Sequence, residues 1–375
     1  MIRFDAPSEE ALLLKDTAMR FIADNYGLEK RAAMLAKPAD AVPAHWTEMA
    51  ELGWLAAPLP EACGGLGLSP TDVLPLLEVL GAGLILEPVS PAILGCAATI
   101  AAALPAETAA DLLEAMLAGE RIEVLATGGA SATAPAVTAT WTSGSWTLSG
   151  KAPMVVGGAA ADIVWAVARV DDALGLFRVP ADAVALTGFR LFDGQTAATV
   201  DFDGVSCTED QLFPMDDTAL VRGTEMALLA RLAEALGLIE ALYRTTLDYV
   251  KLREQFGRPI GAFQSVQHRM ADMFIHCEEV RSMVQLAAEA MDGAPADLRR
   301  QVHAATWVKL VDNGRAVLRD AVQLHGGMGM TDELIVGHMV KRLLMLIQSG
   351  GSREDWLSAA APSLHNSREA EALHA

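Results

Sequence analysis

The sequence predicts an α+β multidomain protein with an N-terminal all-α domain, a middle antiparallel β-barrel domain and a C-terminal four-helix bundle. Apolar residues recur at helical spacing over residues 1–120 and again over 214–375. Between them, over 121–213, short segments rich in Val, Thr and Trp are separated by Gly, Asp and Pro, a pattern typical of antiparallel strands. No internal repeat is visible, so a repeat architecture is not expected.

Length and composition support several domains and an oligomer. A chain of 375 residues is too long for one ordinary hydrophobic core. Although 52% of the residues are hydrophobic, no apolar run reaches the roughly 18 residues that a membrane span needs. The longest run, Ala92 to Leu104, lies between two prolines. The excess apolar surface therefore predicts subunit interfaces and no membrane contact.

Charge and cysteine content exclude further classes of function. The chain has 28 basic and 48 acidic residues, a net charge of −20, which argues against nucleic acid as a partner. A phosphate-bearing ligand must then be met by local basic groups. The four cysteines lie far apart, and no secretory signal is visible, so free thiols and a cytoplasmic location are expected. No metal site is predicted.

In the N-terminal domain, Ser8 followed by two glutamates predicts the cap of the first helix. A second helix is expected over Trp46–Trp54. A Pro/Gly-rich bend, Pro58–Leu68, then precedes a long apolar helix that begins near Thr71.

The elements of the middle and C-terminal domains are predicted from changes in the spacing of apolar residues along the chain. The strand-like segments are Ala136–Ser149, Ile163–Val170, Gly175–Val179 and Ala198–Phe202. The long helices that follow are predicted over Thr218–Leu252, Val266–Ala290 and Leu298–His325, with a fourth after Glu333.

Two motifs in the C-terminal third suit a nucleotide diphosphate. In LREQFGRPIGAFQSVQHRMADM, which begins at Leu252, Arg253 offers a fixed fork of donors to a pyrophosphate, and Phe256 offers a flat surface to an adenine. In QLHGGMGM, which begins at Gln323, Gly326 and Gly327 let backbone N–H groups approach an anion. Each feature alone also has a structural explanation, as an ion pair, a helix cap or a C-cap.

These motifs resemble the C-terminal domain of the acyl-CoA dehydrogenase flavoenzymes. The bend Pro58–Leu68 and the hairpin Trp146–Lys151 resemble other parts of that family, so the resemblance covers essentially the whole chain. Within the family the chain most resembles the small subunits of pimeloyl-CoA dehydrogenases and of heteromeric steroid side-chain dehydrogenases. The segments that carry this closer resemblance are Tyr26–Arg31, Val266–Met270 and Gly337–Arg342.

The resemblance implies FAD as the cofactor and an acyl-CoA thioester as the substrate, in fatty acid or steroid side-chain degradation. It also implies that Arg253, Phe256, Gln323, Gly326 and Gly327 hold the adenine and pyrophosphate of an FAD whose ring lies in a neighbouring chain. The family's own ring-binding residues are replaced here. Where the family has a Thr-Glu and a Gly-Ser-Asp, residues 126–135 of this chain are ATGGASATAP, and Pro153–Val156 offers no side-chain donor to a flavin.

The resemblance also defines where a catalytic base is expected. A desolvated glutamate normally removes the α-proton of the thioester. The two family positions for it fall on Gly351 and Ala227, which carry no carboxylate. Glu234, seven residues after Ala227 on the same helix, is the remaining catalytic residue to consider. Pairing with an arginine, capping of a helix and exposure to solvent are open alternatives for Glu234, and solvation or pairing is expected for Glu225 and Glu240.

Three functions follow. The leading hypothesis is a small subunit that completes the FAD site of a large acyl-CoA dehydrogenase subunit in a hetero-oligomer. The alternatives are a self-sufficient homo-oligomeric acyl-CoA dehydrogenase with Glu234 as its base, or a flavin-free structural or binding subunit; a flavoenzyme that needs no base is a variant of the first alternative. The small residues around Gly351 predict extra space for a bulky or ω-carboxylated acyl chain.

Overall fold

The computed structural model describes residues 6–41, 43–127 and 135–358. Helices precede and follow a region of strands, as the sequence predicts, so the fold class is confirmed. The first helices are α1 (Glu9–Asn25), α2 (Leu28–Leu35), α3 (Trp46–Glu51), α4 (Pro70–Ala82), a π-helical segment (Ser90–Ala97), α5 (Ala98–Ala103) and α6 (Ala106–Leu117).

The strands of the middle region cover the segments that the sequence predicts. They are β1 (Glu123–Ala126), β2 (Val137–Thr142), β3 (Ser145–Ser149), β4 (Lys151–Val156), β5 (Ile163–Val170), β6 (Ala173–Pro180), β7 (Ala185–Arg190), β8 (Thr196–Asp201), β9 (Val205–Cys207) and β10 (Leu212–Met215).

The last part of the chain is helical, with one small hairpin. Its elements are α7 (Asp217–Leu252), β11 (Glu254–Gln255), β12 (Arg258–Pro259), α8 (Gln264–Met291), α9 (Ala296–His325), a 3-10 turn (Gly326–Met330) and α10 (Ile335–Ser349). The predicted helix ends agree to within a few residues, because the apolar spacing that defines each helix continues to its last turn.

Helix α1 begins at the predicted cap. The Ser8 hydroxyl accepts a hydrogen bond from the backbone N–H of Ala11 (3.2 Å), which satisfies one of the free donors of the first turn. The backbone N–H of Ser8 donates to Oδ1 of Asp72 (2.7 Å). This bond ties the start of α1 to the start of α4.

Among the described residues, the strands of the middle region, β1 to β10, form two sheets. The seven-stranded sheet has the order β10-β6-β5-β2-β3-β9, with β1 beside β5, and the three-stranded sheet has the order β4-β8-β7. In this part of the chain the pairing is antiparallel except where β1 and β2 run parallel to β5. Trp165 on β5 and Phe177 on β6 are fully buried in the core of this region.

By internal contacts, the described residues divide into two compact units. The first is drawn from Met1–Leu28, Ser69–Ile85 and Leu228–Ala375, and the second from Glu29–Leu68 and Leu86–Ala227. The first unit contains α1, α4 and α8–α10, and the second contains the sheets with α3, α5 and α6.

Within the first unit, α4 passes very close to α7. A Cβ atom built on Gly81 of α4 would overlap the backbone carbonyl of Glu234, and one built on Gly237 of α7 would overlap the backbone carbonyl of Glu78. The two glycines therefore permit backbone contact that any larger residue would prevent.

The four cysteines, Cys63, Cys96, Cys207 and Cys277, are buried free thiols, as predicted. Burial raises the pKa of Cys207 to about 11 and that of Cys277 to about 12, so neither is a reactive thiolate near neutral pH. Over the ranges that the structure describes, no helix has both the length and the apolar character needed to cross a membrane.

Candidate cofactor and active site

The connection between α7 and α8 is a short hairpin that carries Arg253 and Phe256. The backbone N–H of Arg253 continues α7 by donating to the carbonyl of Tyr249 (2.8 Å), and Ile260 N–H donates to the Arg253 carbonyl (2.8 Å). Strands β11 and β12 pair in antiparallel fashion and leave Phe256 and Gly257 at the tip. Both tip residues have positive φ, 54° and 78°, as a two-residue type I′ turn requires.

Phe256 is both strained and exposed. A phenylalanine with positive φ costs about 1–2 kcal/mol relative to an ordinary backbone conformation. Its ring is 93% exposed and meets the ring of Phe263 edge to face at 6.2 Å. The Arg258 guanidinium lies 4.1 Å from the Phe263 ring and so supports the base of the hairpin. A large aromatic held in solvent by a strained turn indicates a binding role.

The second motif forms the turn after α9. Gly326 has φ 64° and ψ −149°, a backbone conformation that only glycine adopts readily. No atom of the described chain lies within 4 Å of a Cβ built on Gly326 or Gly327, so a ligand can approach their backbone. Gln323, in the last turn of α9, is exposed, as is Arg253 on the hairpin.

The two motifs lie at the same end of the helical bundle. The rings of Tyr249, near the end of α7, and His325, at the end of α9, stack at 4.2 Å with an interplanar angle of 25°. The His325 ring donates from Nδ1 to the carbonyl of Ala321 (2.9 Å), and burial lowers the pKa of His325, which favours the neutral ring. Sequence patterns do not single out this pair, although each residue comes directly before a predicted ligand-binding turn.

Glu234 is buried in an ion pair. Its Oε2 lies 3.0 Å from a terminal nitrogen of Arg342 on α10, and the two side chains are 4% and 2% exposed. Of the alternatives that the sequence leaves open, pairing with an arginine is the one present in the structure. The pair is buried and hydrogen-bonded, so the Glu234 carboxylate is engaged by Arg342 and would have to leave it to contact a substrate.

The other acidic residues of α7 that were considered are paired. Glu225 lies 3.4 Å from Arg222. Glu240 lies 3.3 Å from Arg244 and also contacts Arg281 of α8. Each carboxylate is therefore matched by an arginine, which is one of the two states that the sequence predicts, solvation or pairing.

The space around Gly351 is smaller than the sequence suggests. The indole N–H of Trp307 donates to the carbonyl of Gly351 (3.3 Å), and that of Trp356 donates to the carbonyl of Gly350 (2.8 Å). A side chain on Gly350 would overlap the Trp307 ring. The expectation of extra room here is wrong, because two tryptophans fill the volume that the small residues leave.

The residues expected to face a flavin ring offer it little. Pro153 and Met154 of β4 are exposed, Val155 is buried, and none of these side chains carries a hydrogen-bond donor. Of the stretch 126–135, residues 128–134 lie outside the described residues. Residues Pro153–Val156 therefore offer a flavin ring an apolar surface and no polar side chain.

The exposed hairpin and the Gly-Gly turn can together hold an anionic nucleotide. Arg253 supplies positive charge on a chain whose net charge is −20, and the open backbone of Gly326 and Gly327 supplies N–H donors. Phe256 supplies an apolar face for a base.

Comparison with known proteins agrees with this architecture. A family model described as "Acyl-CoA dehydrogenase, N-terminal domain" matches residues 8–120, and one described as "Acyl-CoA dehydrogenase, C-terminal domain" matches residues 223–361. Together the matches span about two thirds of the chain.

Similar curated proteins cover most of the chain. The acyl-CoA dehydrogenase IpdE2 of Mycobacterium tuberculosis is 28% identical over 87% of this chain and 88% of its own length. The 3-sulfinopropanoyl-CoA desulfinase of Paraburkholderia xenovorans is 28% identical over 79% of this chain and 81% of its own.

Solved structures share the fold over nearly the whole chain. A structure of a variant of the "Tcur3481-Tcur3483 steroid ACAD" is 26% identical with a TM-score of 0.86 and covers 96% of this chain and 99% of its own. The ChsE4-ChsE5 complex from Mycobacterium tuberculosis contains a chain that is 24% identical, with a TM-score of 0.88 over 97% of this chain and 99% of its own; at that identity it shows the fold alone. With both domain models matched in order, this chain belongs to the acyl-CoA dehydrogenase family.

Proposed function

We propose that this chain is a subunit of an FAD-dependent acyl-CoA dehydrogenase and that it completes the FAD site of a catalytic partner chain. The observation that carries the proposal is an exposed set of nucleotide-binding groups in a chain with no carboxylate at either family position for the base. Those groups lie on the hairpin at Arg253 and on the turn at Gly326.

The residues at this end of the bundle fit the diphosphate and adenine of FAD. Arg253 would pair with the diphosphate through its planar fork of donors, and the backbone of Gly326 and Gly327 would approach it without side-chain obstruction. The exposed ring of Phe256 would stack on the adenine, and the exposed Gln323 amide would donate to or accept from the cofactor. When bound, the flavin supplies a hydride acceptor for the β-carbon of the acyl group.

The base comes from the partner chain in this proposal. Ala227 and Gly351 cannot remove a proton, and Glu234 is held by Arg342 at 3.0 Å. A large acyl-CoA dehydrogenase subunit with its own glutamate would remove the α-proton of the thioester. The similarity to the Tcur3481-Tcur3483 steroid ACAD, whose name joins two proteins, supports a heteromeric arrangement.

The test is to purify the chain alone and together with the large subunit, if one is encoded beside it, and to record absorbance in the flavin bands. We expect the pair to retain flavin and to oxidise acyl-CoA, and the isolated chain to do neither. Arg253→Ala should lower the flavin content of the pair, whereas the control Arg300→Ala should not, because Arg300 is an exposed residue paired with Asp297. Full flavin content and activity in the isolated chain would refute the proposal.

The same preparation separates the alternatives. In a self-sufficient homo-oligomer with Glu234 as base, Glu234→Gln abolishes turnover in the isolated chain and leaves flavin bound. In a flavin-free structural subunit, Arg253→Ala changes neither the colour nor the activity of the pair.

A second candidate function is flavin-dependent chemistry that needs no base. It is favoured by the absence of a carboxylate at 227 and 351 and by the similarity to a relative named as a desulfinase. Release of sulfite from a 3-sulfinopropanoyl thioester, without enoyl product, would distinguish this function from dehydrogenation.

A further inference from the structure

Tyr249 and His325 connect the hairpin after α7 to the Gly-Gly turn after α9. The backbone carbonyl of Tyr249 accepts the N–H of Arg253 (2.8 Å), so Tyr249 fixes the start of the hairpin. His325 is the last residue of α9 and directly precedes Gly326. Because their rings stack at 4.2 Å with an interplanar angle of 25°, the ends of the two helices are joined immediately before the two turns.

His325 is itself held on several sides. It is only 5% exposed, and its Nδ1 lies 2.9 Å from the carbonyl of Ala321, one helical turn earlier. A Cβ built on Gly329 would lie 3.0 Å from the Cβ of His325, so the 3-10 turn that contains Gly326 folds back closely onto His325. In a close-packed arrangement of this kind, a shift of the His325 ring shifts the turn as well.

The ligand-facing parts of the two turns are exposed and have little packing of their own. Phe256 is almost fully exposed, and a Cβ built on Gly326 or Gly327 meets no atom of the described chain within 4 Å. Exposed turns with few contacts are among the less stable parts of a fold. A ligand that contacts both turns therefore binds more tightly when the distance between them is fixed before it arrives.

We propose that Tyr249 and His325 are positioning residues whose stacked rings hold Arg253 and the backbone of Gly326 and Gly327 at the separation that one nucleotide diphosphate spans. This inference rests on the proposed function, which supplies the FAD. Neither ring is assigned a contact with the cofactor, so both act through the turns that follow them. The two turns are then ordered relative to each other on folding and not on binding.

The strength of the stack determines the size of the expected effect. A bound ligand can gain from this preorganisation no more than the free energy that the contact supplies. An aromatic pair corresponds to a change of about twofold to tenfold in a binding constant. Loss of either ring should therefore weaken FAD binding by about that factor, a smaller loss than the removal of the Arg253 charge should cause.

The experiment has two readouts on the assembled complex, and neither depends on turnover. FAD is removed and titrated back while its fluorescence is recorded, and hydrogen exchange of the FAD-free complex is followed by mass spectrometry. The variants are Tyr249→Leu and His325→Leu, which each remove one ring, their double variant, and Tyr249→Phe, which keeps the ring. Tyr243→Leu is the matched control, because Tyr243 lies earlier on α7 and its ring contacts Phe274 of α8 at 5.9 Å.

We expect Tyr249→Leu and His325→Leu each to weaken FAD binding about twofold to tenfold. Each should also speed exchange in the turn on the other side of the stack, residues 326–330 for Tyr249→Leu and residues 253–259 for His325→Leu. The double variant should lose no more than the larger single loss, because all three remove the same contact. Tyr249→Phe should bind FAD as tightly as the unchanged chain, and Tyr243→Leu should change neither readout.

Several outcomes would overturn the proposal. They are additive losses in the double variant, an equal loss of FAD binding in Tyr243→Leu, and faster exchange in the turns without weaker FAD binding. Circular dichroism establishes that the variants fold, and Tyr249→Met and His325→Gln replace any leucine variant that does not. If Arg253→Ala weakens FAD binding and Tyr249→Leu does not, the positioning role fails while the proposed function stands; if neither does, FAD is not held at this end of the bundle and both fail.

Discussion

Replacing Glu234 with glutamine separates a structural ion pair from a catalytic base. Glutamine has nearly the same volume and can still accept a hydrogen bond from Arg342, but it removes the negative charge. Because the paired side chains are only 4% and 2% exposed, water cannot take over the role of the carboxylate. Breaking one partner of a buried pair typically costs about 3–5 kcal/mol, a large part of the roughly 5–15 kcal/mol that stabilises a domain.

Urea unfolding followed by circular dichroism measures this effect. We expect Glu234→Gln and Arg342→Gln each to lower the urea midpoint clearly. The double variant Glu234→Met with Arg342→Met should recover much of the loss, because it leaves no unmatched charge. The control is Lys341→Gln, next to Arg342, whose exposed pair with Asp332 is worth about 0–1 kcal/mol.

A urea midpoint of Glu234→Gln that lies within the range of the Lys341→Gln control would show that the buried pair does not stabilise the fold. If the same variant also abolishes turnover and retains flavin, Glu234 is the base, and the homomeric alternative replaces the proposed subunit role.

Three further predictions concern the fold and the cofactor-binding end. Gly81→Ala and Gly237→Ala should each destabilise the chain by about 1–3 kcal/mol in urea unfolding, because the added Cβ meets the backbone of the facing helix. The control Gly27→Ala should change the stability little, because the space around its Cβ is open. Equal effects at all three positions would contradict the close contact between α4 and α7. Phe256→Asn should stabilise the isolated chain by up to about 1–2 kcal/mol in thermal unfolding, because asparagine tolerates positive φ, and it should lower the flavin content of the complex; unchanged flavin content would exclude a role for the ring. Burial lowers the pKa of His325 below its ordinary value of about 6.5, so the unfolded state binds the proton more readily. The contribution of His325 to stability should therefore be complete above about pH 6.5 and should be lost as the pH falls through the pKa of the folded state. In urea titrations at several pH values, His325→Gln should flatten this part of the profile of stability against pH.

The sequence could predict much of the fold because its information is local. Helical spacing of apolar residues located α7, α8 and α9 to within a few residues, and the serine cap located the start of α1. The two turns that we propose bind a nucleotide could also be located, because Arg253 and Gly326 directly follow long helices and belong to recognisable motifs.

Relationships between distant residues could not be predicted in the same way. The space at Gly351 depends on Trp307, a residue of another helix, and small residues in the sequence led to the wrong expectation. In the sequence, the glycines of α4 and α7 indicate only a lower helix propensity, although in the structure they allow backbone contact between the two helices. The space at Gly351 and the contact between α4 and α7 are both determined by how the helices pack, which the spacing of apolar residues does not specify.

The sequence by itself determined the order of helices and strands, the position of the two turns that we propose bind a nucleotide, and the absence of a carboxylate at positions 227 and 351. Only the tertiary structure decided that Glu234 pairs with Arg342, 108 residues away. The physical reason is that residue type and spacing fix which face of a helix is apolar. Which charges meet is fixed by how separate helices pack.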